Sequence, residues 1–178
     1  MCGIVGFVNN KENKEKIIKD MSKKIEHRGP DGEGFYIDDN CALAHRRLAI
    51  IDLNTGAQPI YNEDKSKVII YNGEVYNFKE LKDALLKKKH VFKTKTDTEV
   101  ILHGYEQWGE KLPNHLRGMF SFAIWDKNKN ELFMARDGFG IKPLYYAKFN
   151  DTFMFASEPK AFLANPDFEK KLNTDILS

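Results

Sequence analysis

Met1-Cys2-Gly3-Ile4-Val5-Gly6-Phe7-Val8 decides how this chain is read. The run from Gly3 to Val8 is short and apolar and closes on Asn9-Asn10, the signature of a buried strand. At its head stands Cys2, followed by glycine. Removal of Met1, which a small second residue favours, would leave one residue carrying both a thiol and a free α-amine. A thiol titrates near about 8.5 and an α-amine near about 7.7–8.0, so near neutrality the amine is a competent proton acceptor. One residue then holds nucleophile and general base together. The competing reading is a small apolar residue packed at the start of a strand.

Working outward, Lys14 to Ile25 places Ile17, Ile18, Met21 and Ile25 at helical spacing. The turn-rich Arg28-Gly29-Pro30-Asp31-Gly32 follows. Strand patterns run over Gly34–Ile37, Cys41–His45, Leu48–Ile51 and Val68–Tyr71. Asn77 with Glu80 three residues on is an Asx form of the capping box, predicting a helix to about Lys88. A second helix is predicted from Asp97 to Trp108. Two hairpins then pair Met119–Trp125 with Leu132–Ala135, and Leu144–Phe149 with Thr152–Ala156, before a short helix over Glu158–Leu163. No repeat or low-complexity linker interrupts this, and one α+β domain fits, with helices on two-layered antiparallel sheets.

The 178 residues suit one well-buried domain rather than two. Basic and acidic residues number 28 and 26, a net charge of +2 with the two signs intermixed, which gives no footprint for nucleic acid or an anionic membrane. The basic stretches Lys11–Lys24 and Lys82–Lys89 carry apolar residues at helical spacing and read as solvated helix faces. No run approaches the ~20 apolar residues of a membrane span, and no secretory signal is visible. Two cysteines, Cys2 and Cys41, make no disulfide framework, and a bridge between them would consume the candidate nucleophile. The cytoplasm, where thiols stay reduced, is the expected compartment. No Cys/His/Asp/Glu group has zinc-like linear spacing, so no metal is expected.

Chemistry concentrates in polar or glycine-rich clusters at predicted strand ends: Cys2-Gly3, Arg28-Gly29-Pro30-Asp31, His45-Arg46-Arg47-Leu48, Tyr71-Asn72-Gly73-Glu74-Val75-Tyr76-Asn77, Thr96-Asp97-Thr98-Glu99 and Arg136-Asp137. With Phe139-Gly140-Ile141-Lys142-Pro143-Leu144-Tyr145-Tyr146 and Phe155-Ala156-Ser157-Glu158, they resemble the glutaminase domain of class II glutamine amidotransferases. Asp52 and Gly56-Ala57-Gln58-Pro59 bring the resemblance nearest to the N-terminal domain of asparagine synthetases. It runs in order from Cys2 to about Leu163.

The resemblance implies an Ntn-hydrolase fold, a four-layer αββα sandwich with two stacked antiparallel sheets. It implies that processed Cys2 attacks the side-chain amide of L-glutamine, forms a γ-glutamyl thioester and releases ammonia, water then freeing glutamate. Asn72 and Gly73 match the oxyanion-hole pair, a side-chain amide and a backbone N–H aimed at a tetrahedral oxyanion; alone, the dipeptide reads as a tight turn between strands. Arg47 matches the arginine that grips the substrate α-carboxylate, a task for a planar bidentate donor. Asp97 matches the carboxylate that receives the α-ammonium, its other reading being a helix N-cap. Glu74 and Ile51 match positions lining the same pocket. Arg46, on the opposite face of a strand from Arg47, reads as structural. Arg28–Asp31 and Arg136-Asp137 read as architectural, a buried Arg–Asp pair sufficing to fix loops near the N-terminus. His27 and His45 are not needed as bases, because the α-amine supplies that role.

Residues 1–165 are expected to form the glutaminase domain and residues 166–178 to begin a linker to an absent ATP-dependent synthetase domain. The glutaminase reaction needs no cofactor; ATP and Mg2+ would serve only that absent domain. A synthetase domain, in the same chain or separate, and a second copy in a homodimer are the expected partners besides glutamine. Two other readings stay open: an amidotransferase domain for a different carboxylate acceptor, and a catalytically silent interaction domain.

Overall fold

The computed structural model describes residues 1–9, 12–48 and 56–171. Five strands, β1 (Gly3–Val8), β2 (Gly32–Ile37), β3 (Cys41–Arg47), β8 (Tyr145–Phe149) and β9 (Thr152–Ala156), form one antiparallel sheet in the order β2-β3-β1-β9-β8. The second sheet, β4-β5-β6-β7, is built from β4 (Ile60–Tyr61), β5 (Lys67–Val75), β6 (Gly118–Asp126) and β7 (Glu131–Arg136), again antiparallel. Helix α1 (Lys14–Lys24) covers the outer face of the first sheet, and α2 (Phe78–Lys87) and α3 (Asp97–Trp108) cover the outer face of the second.

Period-two alternation explains the layering. On β1, Val5 and Phe7 face α1, packing on Ile18, Met21 and Ile25. Ile4 faces the other way, into a layer shared with Leu43 of β3 and with Val68, Ile70, Ala123 and Trp125 of the second sheet. Ile69, Tyr71 and Val75 turn outward to Leu85, Val100 and Ile101 of the helices. Three apolar layers thus separate four layers of structure. Trp125, Phe7, Phe122 and Phe155 are among the largest fully buried side chains, each worth about 1.5–3 kcal/mol on burial. Trp125 also donates Nε1–H to Asp38 Oδ2 at 2.7 Å, a polar tie from one sheet to the other.

Most predicted elements stand within a residue or two of their expected bounds. Three differ in ways that matter. The strand expected over Val68–Tyr71 runs on to Val75, so Asn72-Gly73 lies within a strand rather than after it. Asn77 precedes α2, but its side chain makes no cap; it joins His115 O (3.0 Å) and Arg117 N (3.0 Å) across the 3₁₀ segment Gly109–His115, an element the sequence reading omits. Leu48 is not in a strand, and the rest of the expected Leu48–Ile51 strand lies outside the described residues. Phe168, beyond the expected domain edge, still packs its ring against Phe149 and Phe162. Among the described residues no helix is long and apolar enough to cross a membrane.

Candidate active site

Even-numbered side chains of β1 and β5 face each other between the sheets, so extending both strands to one end brings Cys2 to Asn72 and Glu74. Where the apolar layer stops, the sheets open into a pocket of about 380 Å3. Its walls include Cys2, Arg47, Asn72, Gly73, Glu74 and Asp97, six of the seven residues singled out by sequence. Ile51, the seventh, lies outside the described residues.

Cys2 is half-buried, and its Sγ lies 3.4 Å from Leu48 N and 3.6 Å from Leu48 O. The main chain beneath it is fixed from two directions. Ile4 N donates to Ser157 Oγ (3.0 Å) and Ser157 N donates to Ile4 O (2.8 Å). Arg28 Nε donates to Cys2 O (3.1 Å), and Arg28 Nη1 lies 3.0 Å from Glu158 Oε1. Burial alone would raise the Glu158 carboxyl; hydrogen bonds from Arg28, His27 and Lys160 outweigh it and hold the pKa at about 2. Arg28 therefore fixes the N-terminus as expected, but its partner is Glu158, 130 residues away, and not an aspartate. Arg136 and Asp137 likewise work through main-chain groups: Arg136 donates to Gly140 O and Lys142 O, and Asp137 accepts from Phe120, Ile141 and Lys142 amides. That loop delivers buried Lys142 to the pocket, its Nζ 3.3 Å from Met1 Sδ.

Asn72 is 3% exposed, and its Nδ2 has no hydrogen-bond partner among the described residues. Such an orphaned donor costs about 1–3 kcal/mol unless something occupies it, so a group held in this state at a pocket wall is poised for an acceptor. Gly73 supplies a second donor through the geometry of β5. Tyr71 N donates to Gln58 Oε1 (2.6 Å) and Val75 N to Asp97 Oδ2 (2.9 Å), both on the edge away from β6. Alternation sends the Gly73 N–H to that same edge, beyond the point where two-residue β4 ends. A side chain at Gly73 is excluded: its Cβ would sit 2.3 Å from Met119 O on β6.

Asp97 begins α3 but caps nothing. The cap position is Thr96, and Asp97 Oδ2 accepts from Tyr71 OH (2.8 Å) and Val75 N (2.9 Å). Its other oxygen accepts no hydrogen bond among the described residues. Glu99, two residues on, is buried and accepts from Lys93 N, Thr94 N and Thr94 Oγ1, tying the segment before α3 to the helix. That segment contributes Lys95 and Thr96 to the pocket wall.

His45 lines the pocket from β3 and is 1% exposed. Burial, with a smaller push from Arg47, lowers its pKa to about 3 against a hydrogen bond with the Tyr71 main chain, so the ring is neutral. Arg46 points the opposite way and meets Ser22 Oγ (2.8 Å) and Glu33 (2.8 Å), a structural role as alternation requires. Sequence reasoning missed Gln58, Ser157, Glu158 and Lys142 as positioning or lining residues. All four stand inside quoted motifs, but only the fold shows what they touch.

A cysteine at position 2, immediately before β1 at the mouth of two stacked antiparallel sheets flanked by helical layers, has the layout of an N-terminal-nucleophile sandwich. Two solved structures share that fold: one described as "Structure of the allosteric regulatory enzyme of purine biosynthesis" (TM-score 0.79, 23% identity, 92% of this chain and 43% of that one), and the phosphoribosylpyrophosphate amidotransferase of Bacillus subtilis (TM-score 0.77, 22% identity, 92% and 43%). Residues 1–178 match the family described as "Glutamine amidotransferase domain", and the chain belongs to it. It is 47% identical over 178 residues to asparagine synthetase [glutamine-hydrolyzing] 2 of Bacillus subtilis, covering 97% of this chain and 24% of that protein. It is 45% identical over 165 residues to asparagine synthetase [glutamine-hydrolyzing] 3 of Arabidopsis thaliana, covering 90% of this chain and 28% of that one. The chain thus spans about a quarter of the length of these relatives.

Proposed function

We propose that this chain is the glutaminase domain of an asparagine-synthetase-like enzyme, cleaving L-glutamine to glutamate and ammonia. One observation carries the reading: Cys2 shares a pocket with an Asn72 Nδ2 that has no partner among the described residues, an edge-facing Gly73 N–H, and groups of both charges. Glutamine is a zwitterion with a neutral amide at its far end, and the pocket offers each part a counterpart. Arg47 takes the α-carboxylate. The uncommitted oxygen of Asp97 takes the α-ammonium, with Glu74 beside it.

With Met1 removed, the Cys2 amine accepts the thiol proton and the thiolate attacks the amide carbon. Asn72 Nδ2–H and Gly73 N–H receive the oxyanion that forms. Collapse expels ammonia, the amine returning its proton to the leaving nitrogen, and leaves a thioester on Cys2. Water, deprotonated by the same amine, releases glutamate. Neutral His45 is not needed as base. No step asks for a metal or cofactor; ATP and Mg2+ would serve a synthetase domain, in this chain or a partner, that amidates aspartate with the ammonia. The reaction fits the cytoplasm, and a homodimer is compatible with it.

The test is intact mass after incubation with 6-diazo-5-oxo-L-norleucine, a glutamine-shaped electrophile. A chain lacking Met1 should gain one adduct, on Cys2, and a Cys2→Ala chain none. A processed chain that takes up no adduct at Cys2 refutes the reading.

A further inference from the structure

On the far side of α3 from the pocket, four side chains from three segments meet. They are Glu63 after β4, His90 after α2, and His103 and Glu106 one turn apart on α3, with one ligand atom of each lying within 4.8 Å of all the others. We propose that this is a divalent-cation site that takes zinc, bracing the segment that leads into the glutamine pocket. Two imidazoles and two carboxylates are a borderline donor set that suits zinc over calcium or magnesium.

The donor atoms are close enough to be gathered on one ion, which would take the place of the hydrogen bond between His103 Nδ1 and Glu106 Oε2. In a tetrahedral zinc site with bonds of about 2.0–2.1 Å, donors stand about 3.3 Å apart. Here His103 Nδ1 lies 2.9 Å from Glu106 Oε2 and 3.7 Å from Glu63 Oε2, and His90 Nδ1 lies 3.8 Å from Glu106 Oε2. Glu63, the member nearest solvent, and His90 stand on segments outside α3, so closing the set on an ion needs movement of those two side chains rather than of buried His103.

What separates this cluster from a chance gathering is the second shell, which in built metal sites orients each ligand through its other atom. Glu106 Oε1 accepts from Asn62 Nδ2 (2.7 Å), leaving Oε2 for the centre. Glu63 Oε1 accepts from Val91 N (3.1 Å), leaving its Oε2. His103 is 1% exposed; its Nδ1 faces the centre and its Nε2, without a hydrogen bond among the described residues, faces Glu99 Oε1 at 3.7 Å. The order, carboxylate then imidazole then centre, is the one found around zinc-bound histidines, and a slight turn of the ring would bring Nε2–H into hydrogen-bond reach of Glu99. Glu63, Glu99 and Glu106 converge here, and among the described residues the lysine ion-paired with them is Lys67, whose Nζ is 4.0 Å from Glu106 Oε1 and 3.8 Å from Asp126.

The site's consequence runs through Glu99, which also holds Lys93 and Thr94 and so the wall formed by Lys95 and Thr96. Linear spacing hid it, because residues 63, 90 and 103–106 converge only once α2 and α3 have packed on β5.

The test is zinc titration of the chelator-treated full chain by calorimetry, in a Cys2→Ser background so that the pocket thiol does not compete, with the visible spectrum of Co2+ reporting geometry. One zinc per chain should bind, tetrahedral d–d bands should appear with cobalt, and zinc should raise the thermal midpoint. Glu63→Gln and His90→Ala should each weaken binding at least about tenfold while circular dichroism is retained. Glu63→Gln preserves shape at a partly exposed position, so it decides the matter if His90→Ala perturbs folding. Absence of one-site binding, or affinity unchanged in Glu63→Gln, overturns the proposal.

Discussion

Replacing Asn72 by alanine separates an oxyanion hole from a packing residue, because the two roles predict opposite changes in stability. In the folded chain Asn72 Nδ2 is buried with no partner among the described residues. If that donor waits for an oxyanion, Asn72→Ala removes a transition-state contact worth about 2.7–4 kcal/mol and lowers kcat by about 10²–10³. KM should hardly move, since the ground-state amide does not use the contact to the same extent. The folded state, meanwhile, loses an unsatisfied buried donor whose desolvation costs about 1–3 kcal/mol, offset by the packing of one small side chain. For a domain of this size each kcal/mol moves the midpoint by about 2–4 °C. The midpoint should therefore hold or rise by a few degrees while turnover collapses. Glutamate release, measured on Met1-processed protein beside a thermal melt, reads both. A midpoint lowered by about 10 °C with kcat retained would refute the argument and make Asn72 a packing residue.

Two further predictions test other parts of the site. Arg47→Lys replaces a planar fork by a point charge and should raise KM for glutamine more than it lowers kcat; steady-state kinetics with an unchanged KM would remove Arg47 as carboxylate anchor. Glu158, held at about 2 against an ordinary value near 4.5, contributes stability above the ordinary value that is lost as pH falls from there towards 2. The wild-type midpoint should thus drop more steeply than that of Glu158→Gln between about pH 5 and about pH 2, and parallel curves would show that the carboxylate contributes nothing through its charge.

The layers were legible wherever alternation or helical spacing was strong. Gly3–Val8, Asp97–Trp108 and both late hairpins follow directly from apolar pattern, because their buried faces are long enough to register. Two-residue β4 is too short to show a period, and the 3₁₀ segment Gly109–His115 has none to show. Asn77 misled for a different reason. The local cap competes with two main-chain groups at His115 and Arg117, and tertiary partners 38 and 40 residues away win. In the site, residue types were readable but partners were not. That Arg28 meets Glu158, or that Gln58 takes both main-chain groups of Tyr71, depends on which strands become neighbours.

Asn72-Gly73 shows how a local signal is overruled by the sheet around it. As an isolated dipeptide it favours a tight turn, since both residues tolerate the conformations a turn demands. In the folded chain it is the sixth and seventh residue of a nine-residue strand, in register with Ser121 and Phe120. Glycine is required there because Met119 O would lie 2.3 Å from any Cβ, not because of a turn. Once the pair is held straight, alternation divides its two donors: the Asn72 side chain goes between the sheets, and the Gly73 N–H goes to the edge that short β4 leaves uncovered. A turn would have spent that N–H within the loop. The strand keeps it, which is why the residues that looked like a chain reversal furnish a donor pair beside Cys2.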